Sequence, residues 1–252
     1  MQVFEKQNLW LGGSVANAED RLLLFCFPPA GGGTTFFRSW MESNAHAIQV
    51  CPVQLPGREH RMMEQPFSQL RPLVQALAQV IRPEQPFAFF GHSMGALISF
   101  ELAREFRRQG LRGPLRLFVS AAPAPQLPLK PARYSLGDRE IVDELRALGG
   151  TSELILKNAE ILRYFMPMLR ADFQVVDTYE YLPEEPLDCP IHVFGGDKDL
   201  EVPLDQLLAW REQTRAGFTS QICPGDHFYV QSIWGKLIDV ISARMQLEAT
   251  YF

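Results

Sequence analysis

The chain lacks any apolar run of the roughly 18 residues that a membrane-spanning helix needs. Its first residues also lack the basic stretch followed by an apolar stretch that marks a signal peptide. We therefore expect no membrane association, no secretion signal and a cytoplasmic location. Positive charge is in the minority, with 24 Lys and Arg against 29 Asp and Glu and a net charge of −5. That balance argues against a nucleic-acid partner but leaves protein partners open, because local patches decide docking.

Cysteine is scarce. The four cysteines of the 252 residues are Cys26, Cys51, Cys189 and Cys223, all far apart in sequence. Three of them lie in predicted strands or strand ends, a pattern unlike that of a disulfide framework or a zinc site. We therefore expect reduced, buried thiols and no metal site.

Apolar segments alternate with amphipathic ones along the chain, which predicts an α/β fold with a mostly parallel central sheet and helices on both faces. The predicted strands are Arg21–Phe27, Ile48–Val53, Pro86–Phe90, Leu115–Ser120, Ile191–Gly196 and Phe218–Cys223. The predicted helices are Gln69–Ile81, a helix from Ala96 to near Gly110, and Val230–Leu247. A length of 252 residues fits one domain, 1–252.

The run Gly91-His92-Ser93-Met94-Gly95 joins a buried strand to a helix. This is the context of the nucleophile elbow, a turn so sharp that side chains at the two glycines would collide with the neighbouring strand and helix. We predict that Ser93 is displayed at the carboxyl edge of the sheet as a nucleophile.

A serine nucleophile needs a histidine base, and the base needs an acid to orient it. His227 follows the last predicted strand, so we predict it as the base. His92 should point away from Ser93, His192 lies within a strand, and His46 and His60 precede the serine in loops.

The acid should follow the preceding strand, in the loop Gly195–Pro203. Asp199 stands nearest Val202-Pro203 and is the predicted acid, with Asp197 as the alternative. Asp197 fits better as a turn residue. Asp226 is adjacent to His227 and should face elsewhere.

Two backbone amides are predicted to form an oxyanion hole. One belongs to Met94, at the start of the helix after Ser93. The other should come from the loop Pro28–Gly33. Since proline has no N–H, Ala30 is the first available donor, with Gly31 behind it. A phosphate site in this loop is a weaker interpretation, because no phosphate-binding motif follows it.

The segment between the strands ending at Ser120 and beginning at Ile191 is far longer than a crossover of about a dozen residues. It contains helical patterns at Asp138–Leu148 and Ala159–Tyr179. We predict that residues 130–182 form an inserted helical lid. Leu162, Phe165, Met166 and Leu169 should line a channel that leads to Ser93.

Several blocks together resemble a type II thioesterase, the stand-alone editing hydrolase of polyketide synthases and non-ribosomal peptide synthetases, within the α/β-hydrolase superfamily. The resemblance extends from about Leu22 to the closing helix, and the block at 54–59 is its most specific part. The blocks are Phe27-Pro28-Pro29-Ala30-Gly31-Gly32, Gln54-Leu55-Pro56-Gly57-Arg58-Glu59, Gly91–Gly95, Gly196–Asp199 and Gly225-Asp226-His227-Phe228.

The resemblance implies a triad of Ser93, Asp199 and His227 and a mobile lid. It also implies action on acyl groups held as thioesters on the phosphopantetheine arm of acyl or peptidyl carrier proteins, and the leading hypothesis is that the enzyme removes aberrant or stalled units. We further expect a monomer without a cofactor of its own. One departure is that Ser120-Ala121-Ala122-Pro123 lacks the arginine expected there. Other functions consistent with the residues are a chain-terminating medium-chain fatty-acyl thioesterase, a general carboxylesterase and a non-catalytic binding module.

Overall fold

The computed structural model describes residues 9–12, 21–42, 48–128 and 132–249. The strands are β1 (Leu22–Phe27), β2 (Ile48–Pro52), β3 (Phe87–His92), β4 (Leu117–Ser120), β5 (Ile191–Gly196) and β6 (Phe218–Cys223). They form one six-stranded sheet in the order β2-β1-β3-β4-β5-β6, and every neighbouring pair is parallel. The predicted α/β architecture is thus confirmed.

The helices cover both faces of this sheet. They are α1 (Arg38–Met41), α2 (Leu70–Val80), α3 (Met94–Arg108), α4 (Asp138–Leu148), α5 (Glu153–Leu156), α6 (Ala159–Asp177), α7 (Leu204–Leu208) and α8 (Trp234–Ala249). None of these described helices is long and apolar enough to cross a membrane.

Side chains alternate between the two faces of the strands, so each strand contributes to two apolar layers. Phe25 and Phe89 pack in one layer with Leu77 of α2 and residues of α3. Phe90 and Phe118 pack in the other layer with helices from opposite ends of the chain, α1 and α8. Burial on both sides explains why the sequences of these strands are continuous apolar runs.

The chain reverses direction across the sheet between β1 and β3. From β1 it passes to the edge strand β2 and then returns to the other side of β1. Such a switch point opens a crevice at the carboxyl ends of the strands, where open α/β sheets bind ligands. The loop after β1 and the turn after β3 both lie at this crevice.

The inserted segment folds as helices α4, α5 and α6, with an apolar cluster of its own. Each longer helix has a local start signal: Glu140 accepts the Gly137 N–H at 2.7 Å before α4, and Asn158 caps α6. The predicted start of the insertion, residue 130, lies outside the described residues. The cluster comprises Ile141, Leu145, Leu156, Met166, Met168, Leu169 and Phe173.

Some element boundaries differ from those predicted. The closing helix begins at Trp234, not Val230, because the chain first makes a 3₁₀ turn at Tyr229–Gln231. The long helix of the insertion ends at Asp177, short of Tyr179. The short helices α1 and α5 were not predicted, since four residues carry too little periodicity to be read from sequence.

Candidate active site

Ser93 occupies a strained turn between β3 and α3. Its φ is 53° and its ψ is −118°, a combination that non-glycine residues rarely adopt. A Cβ on Gly91 would lie 2.2 Å from the carbonyl oxygen of Gly95, and a Cβ on Gly95 would lie 2.0 Å from that of Phe27. The elbow therefore requires glycine on both sides of the serine.

Hydrogen bonds fix the backbone around Ser93. The Ser93 N–H donates to the carbonyl of Ser120 at the end of β4, at 2.8 Å. Helix α3 starts at Met94, so the Met94 N–H has no acceptor within the helix and lies at its positive end. Such a position suits an amide that must stabilise a developing oxyanion.

His227 and Asp199 form a hydrogen-bonded pair on neighbouring loops. Nδ1 of His227 lies 2.9 Å from Oδ2 of Asp199, and their side chains are 8% and 1% exposed. The other oxygen of Asp199 accepts the N–H of Glu201 at 2.8 Å. Since Nδ1 is engaged by the acid, Nε2 is the ring nitrogen left to act on Ser93.

The two alternative aspartates have different contacts. Asp197 accepts the Gly225 N–H at 2.8 Å and so ties the loop after β5 to the loop after β6. Asp226 accepts the Phe228 N–H at 2.9 Å in a local turn. Of the three carboxylates, Asp199 is the one that bonds to His227, as the arrangement predicted from sequence requires.

His192 and His60 take no part in this pair. Nδ1 of His192 is 2.5 Å from the hydroxyl of Thr219, and burial, with Arg244 and Arg116 nearby, lowers the pKa of His192 to about 3. His60 is exposed on a turn. His46 lies outside the described residues.

His92 is buried directly behind His227. Nδ1 of His92 lies 2.9 Å from the Ser120 hydroxyl, which is 2.6 Å from the hydroxyl of Tyr229. Burial and the neighbouring His227 lower the pKa of His92 well below 6.5. A neutral His92 therefore adds no positive charge against His227 when that ring is protonated.

The loop after β1 makes a tight turn at the crevice. The Gly32 N–H donates to the Pro29 carbonyl at 2.9 Å, and Gly31 has a φ of 74°. The Gly31 N–H donates to the carboxylate of Asp172 at 2.8 Å, so Gly31 is not available as an oxyanion donor. The Ala30 N–H donates to no described residue, which is consistent with the prediction for Ala30.

A cavity of about 600 Å³ lies between the sheet edge and the insertion. Ser93 and His227 both line it, as do Ala30 and Met94. From the insertion, Leu162, Phe165 and Leu169 line the cavity; their contact with an acyl group stays a prediction. Met166 requires a correction: it shares a side of α6 with Leu169 and Phe173 but does not line the cavity, because it is buried within the insertion's own apolar cluster.

The block at 54–59 contains residues whose roles the sequence did not reveal. The carboxylate of Glu59 accepts hydrogen bonds from the backbone N–H groups and hydroxyls of Thr34 and Thr35. Burial raises the pKa of Glu59, but these bonds outweigh it and hold the pKa below 4.5. Glu59 thus secures the first turn after the loop at Pro28–Gly33. Arg58 bonds to Asp172 of α6, a contact between segments far apart in sequence.

Arg133 connects the beginning of the insertion to the loop that carries Asp199. Its guanidinium pairs with Glu201 at 2.5 Å and with Glu144 at 3.1 Å. Arg133 also lines the cavity. The chain therefore has an arginine at this cavity, although it lacks the one expected after Ser120.

No group of three or more His, Cys, Asp or Glu side chains suitable for holding a metal ion occurs among the described residues. The cysteines lie free of disulfides; Cys26, Cys51 and Cys223 are buried and Cys189 is partly exposed. Burial raises the pKa of Cys51 to about 12, so this thiol stays protonated.

A parallel sheet with a serine at a strand-to-helix elbow and an acid–histidine pair on the loops after β5 and β6 defines the α/β-hydrolase class. A family model described as the thioesterase domain matches residues 23–245. The chain belongs to the thioesterase family and is an enzyme that hydrolyses thioesters.

Individual relatives align over nearly the whole chain. The gramicidin S biosynthesis protein GrsT of Aneurinibacillus migulanus is 43% identical, with 98% of each chain covered. A protein of Brevibacillus parabrevis named linear gramicidin dehydrogenase LgrE is 42% identical over 94% of this chain and 92% of its own. Despite that name, the present sequence contains no Gly-x-Gly-x-x-Gly dinucleotide motif.

Solved structures agree with this assignment. The type II thioesterase BorB of the borrelidin biosynthetic cluster superposes with a TM-score of 0.86 at 36% identity, covering 94% of this chain and 98% of its own.

Proposed function

We propose that the protein is a type II thioesterase that removes aberrant or stalled acyl units from carrier proteins in polyketide or non-ribosomal peptide biosynthesis. The observation that carries the chemistry is the 2.9 Å contact between His227 and Asp199, beside a cavity that Ser93 also lines. The similarity to GrsT and to BorB supports the biosynthetic setting.

In the proposed mechanism, Ser93 Oγ attacks the thioester carbonyl while Nε2 of His227 takes its proton. The amides of Met94 and Ala30 donate to the resulting oxyanion. Collapse of the intermediate breaks the C–S bond, and the His227 imidazolium returns the proton to the departing thiolate. Water then attacks the acyl-Ser93 ester with His227 again as the base, releasing the acid. Asp199 holds the ring in orientation throughout and stabilises its charged form.

The substrate thiol would be the phosphopantetheine arm of an acyl or peptidyl carrier domain. Every group in the mechanism is a side chain or amide of this chain, so we propose that no cofactor is required. We further propose that the enzyme acts as a monomer in the cytoplasm, where such synthases and their carrier domains would be encountered.

The inserted helices are proposed to act as a lid within a single domain. Leu162, Phe165 and Leu169 contribute apolar wall to the cavity, which fits an acyl chain. A carrier arm must enter between this wall and the sheet, so the lid has to open during turnover.

Mass spectrometry of carrier proteins loaded with different acyl groups tests the function directly. The wild type should regenerate the free phosphopantetheine form, whereas Ser93→Ala should be slower by at least about 10³-fold because triad members act as a unit. Near-normal unloading by Ser93→Ala would end the serine-hydrolase proposal. Circular dichroism would show that the variant remains folded.

The same assay separates the related activities. Strong preference for medium-chain fatty acyl groups on a carrier would favour a chain-terminating thioesterase. Faster hydrolysis of a nitrophenyl ester than of any loaded carrier would favour a general carboxylesterase. Broad unloading of short acyl and aminoacyl groups is the expected result for an editing enzyme.

A further inference from the structure

Arg58 and Asp172 form a buried ion pair beneath the loop that holds the proposed oxyanion donor. Nη2 of Arg58 lies 2.7 Å from Oδ1 of Asp172, and Nη1 lies 2.8 Å from Oδ2. Their side chains are 4% and 3% exposed. Two parallel charge-assisted bonds give this contact a fixed geometry.

Both partners also hold the loop backbone. Asp172 accepts the Gly31 N–H at 2.8 Å, and Arg58 donates to the Gly32 carbonyl at 2.8 Å. The peptide groups that follow Ala30 are therefore tied from two directions. The turn closed by Gly32 N–H to Pro29 O completes the constraint.

Stability alone does not account for this arrangement. A buried ion pair loses hydration and is often no more stabilising than a well-packed apolar pair. Here the pair also engages the Gly31 N–H, whereas the N–H of the neighbouring Ala30, a residue that lines the cavity, has no acceptor among the described residues. We therefore expect that the buried pair serves to orient one backbone N–H, that of Ala30, and that this role offsets the hydration that the two charges lose.

We propose that Arg58 and Asp172 are positioning residues that aim the Ala30 amide at the oxyanion. Because Asp172 lies on α6, the donor is in place only when this part of the insertion is docked. Leu169, one turn earlier, contacts the same loop: a Cβ on Gly31 would lie 2.6 Å from its Cδ2. The inference rests on the proposed function, since it requires an oxyanion intermediate at Ser93.

Steady-state kinetics on a short acyl-pantetheine thioester test the proposal. Asp172→Ala should lower kcat by about 10–100-fold, part of the 10²–10³ expected for complete loss of one donor, with KM changed less than threefold. Asp172→Asn keeps an acceptor for the Gly31 N–H and should lose less. Arg58→Lys, whose single side-chain nitrogen cannot make the two parallel bonds of a guanidinium, should fall between them.

A fluorophosphonate provides a second readout, because its phosphoryl oxygen also occupies the oxyanion hole when Ser93 attacks. Its rate of reaction should fall in parallel with kcat in the Asp172 variants. The matched control is Glu101→Gln, which breaks a different buried pair, with Arg104, and should leave both rates unchanged.

The outcomes distinguish the two proposals. If the fluorophosphonate does not label Ser93 of the wild-type enzyme, the proposed function itself is rejected. Normal wild-type labelling with unchanged rates in Asp172→Asn, Asp172→Ala and Arg58→Lys would reject the positioning role alone. A higher KM at constant kcat would also reject it, and if Asp172→Ala does not fold, Asp172→Asn and Arg58→Lys decide the question by the same criteria.

Discussion

The sheet and the insertion differ in how completely they bury their apolar residues. The central strand β3 is buried along its whole length between two apolar layers. In the insertion, Leu154 is 86% exposed, Tyr164 76% and Phe165 42%. The residues proposed to direct the chemistry lie on loops next to the buried strands, whereas the residues proposed to contact the acyl group lie on helices that are partly exposed. We therefore expect that substitutions can change the rate of the chemical step and the access of acyl groups separately.

The largest expected effect comes from the acid on the sheet side. Asp199→Asn should reduce turnover by up to about 10⁴-fold for every substrate, because His227 loses its orientation and the support of its charged form. Asp197→Asn affects only the contact with the Gly225 N–H, so its effect on turnover should be small. Reversal of these two results in parallel kinetic assays would make Asp197 the acid.

Truncation of one aromatic residue in each region should separate their roles in stability. Phe89→Ala in β3 should lower the free energy of unfolding by about 3–5 kcal/mol. Phe165→Ala should lower it by less than about 1 kcal/mol, because the side chain is partly exposed, yet it should change acyl-length preference. Urea unfolding and competition between acyl chain lengths measure both. Equal destabilisation would place Phe165 in the core.

Hydrogen exchange tests the relative rigidity of the two regions. Amides of α4 and α5 should exchange at least about a hundredfold faster than those of β3, because local opening of these helices exposes little buried surface. Occupation of Ser93 by an acyl analogue should slow the exchange in the helices. Protection equal to that of β3 and indifferent to the analogue would argue against a lid.

Acidification should weaken the sheet through its buried histidines. His192 has a pKa lowered to about 3 in the folded state, so between that value and about 6.5 the unfolded chain binds the proton and the folded chain does not. Stability should therefore fall with decreasing pH, by at most about 1.4 kcal/mol per pH unit for this residue. His192→Gln should flatten the dependence, whereas His60→Gln, at an exposed site, should not.

Sequence patterns sufficed for features set by local residues. The glycines around Ser93 follow from the sharpness of one turn, and the positions of Asp199 and His227 follow from the strands that precede them. The parallel sheet follows from continuous apolar runs. In each case a few neighbouring residues contain the physical cause.

Features that depend on distant contacts were not accessible in the same way. The bond between Arg58 and Asp172 joins residues 114 positions apart, and no spacing rule specifies it. One signal was present, since Asp172 interrupts the apolar side of α6 beside Leu169 and Phe173. Met166 was misplaced because helical periodicity shows that a residue faces inward without showing which of two apolar surfaces it meets.

Pro167 lies inside α6 and has a consequence for recombining related enzymes. Proline donates no backbone N–H, so the helix lacks one of its bonds at this point. The half before it carries Leu162 and Phe165, and the half after it carries Asp172. Replacing the insertion only as far as Pro167 would import a foreign version of the proposed acyl-binding wall at Leu162 and Phe165 while keeping Asp172, the native partner of Arg58. Extending the replacement beyond Asp177 would also replace Asp172, and is the design to avoid.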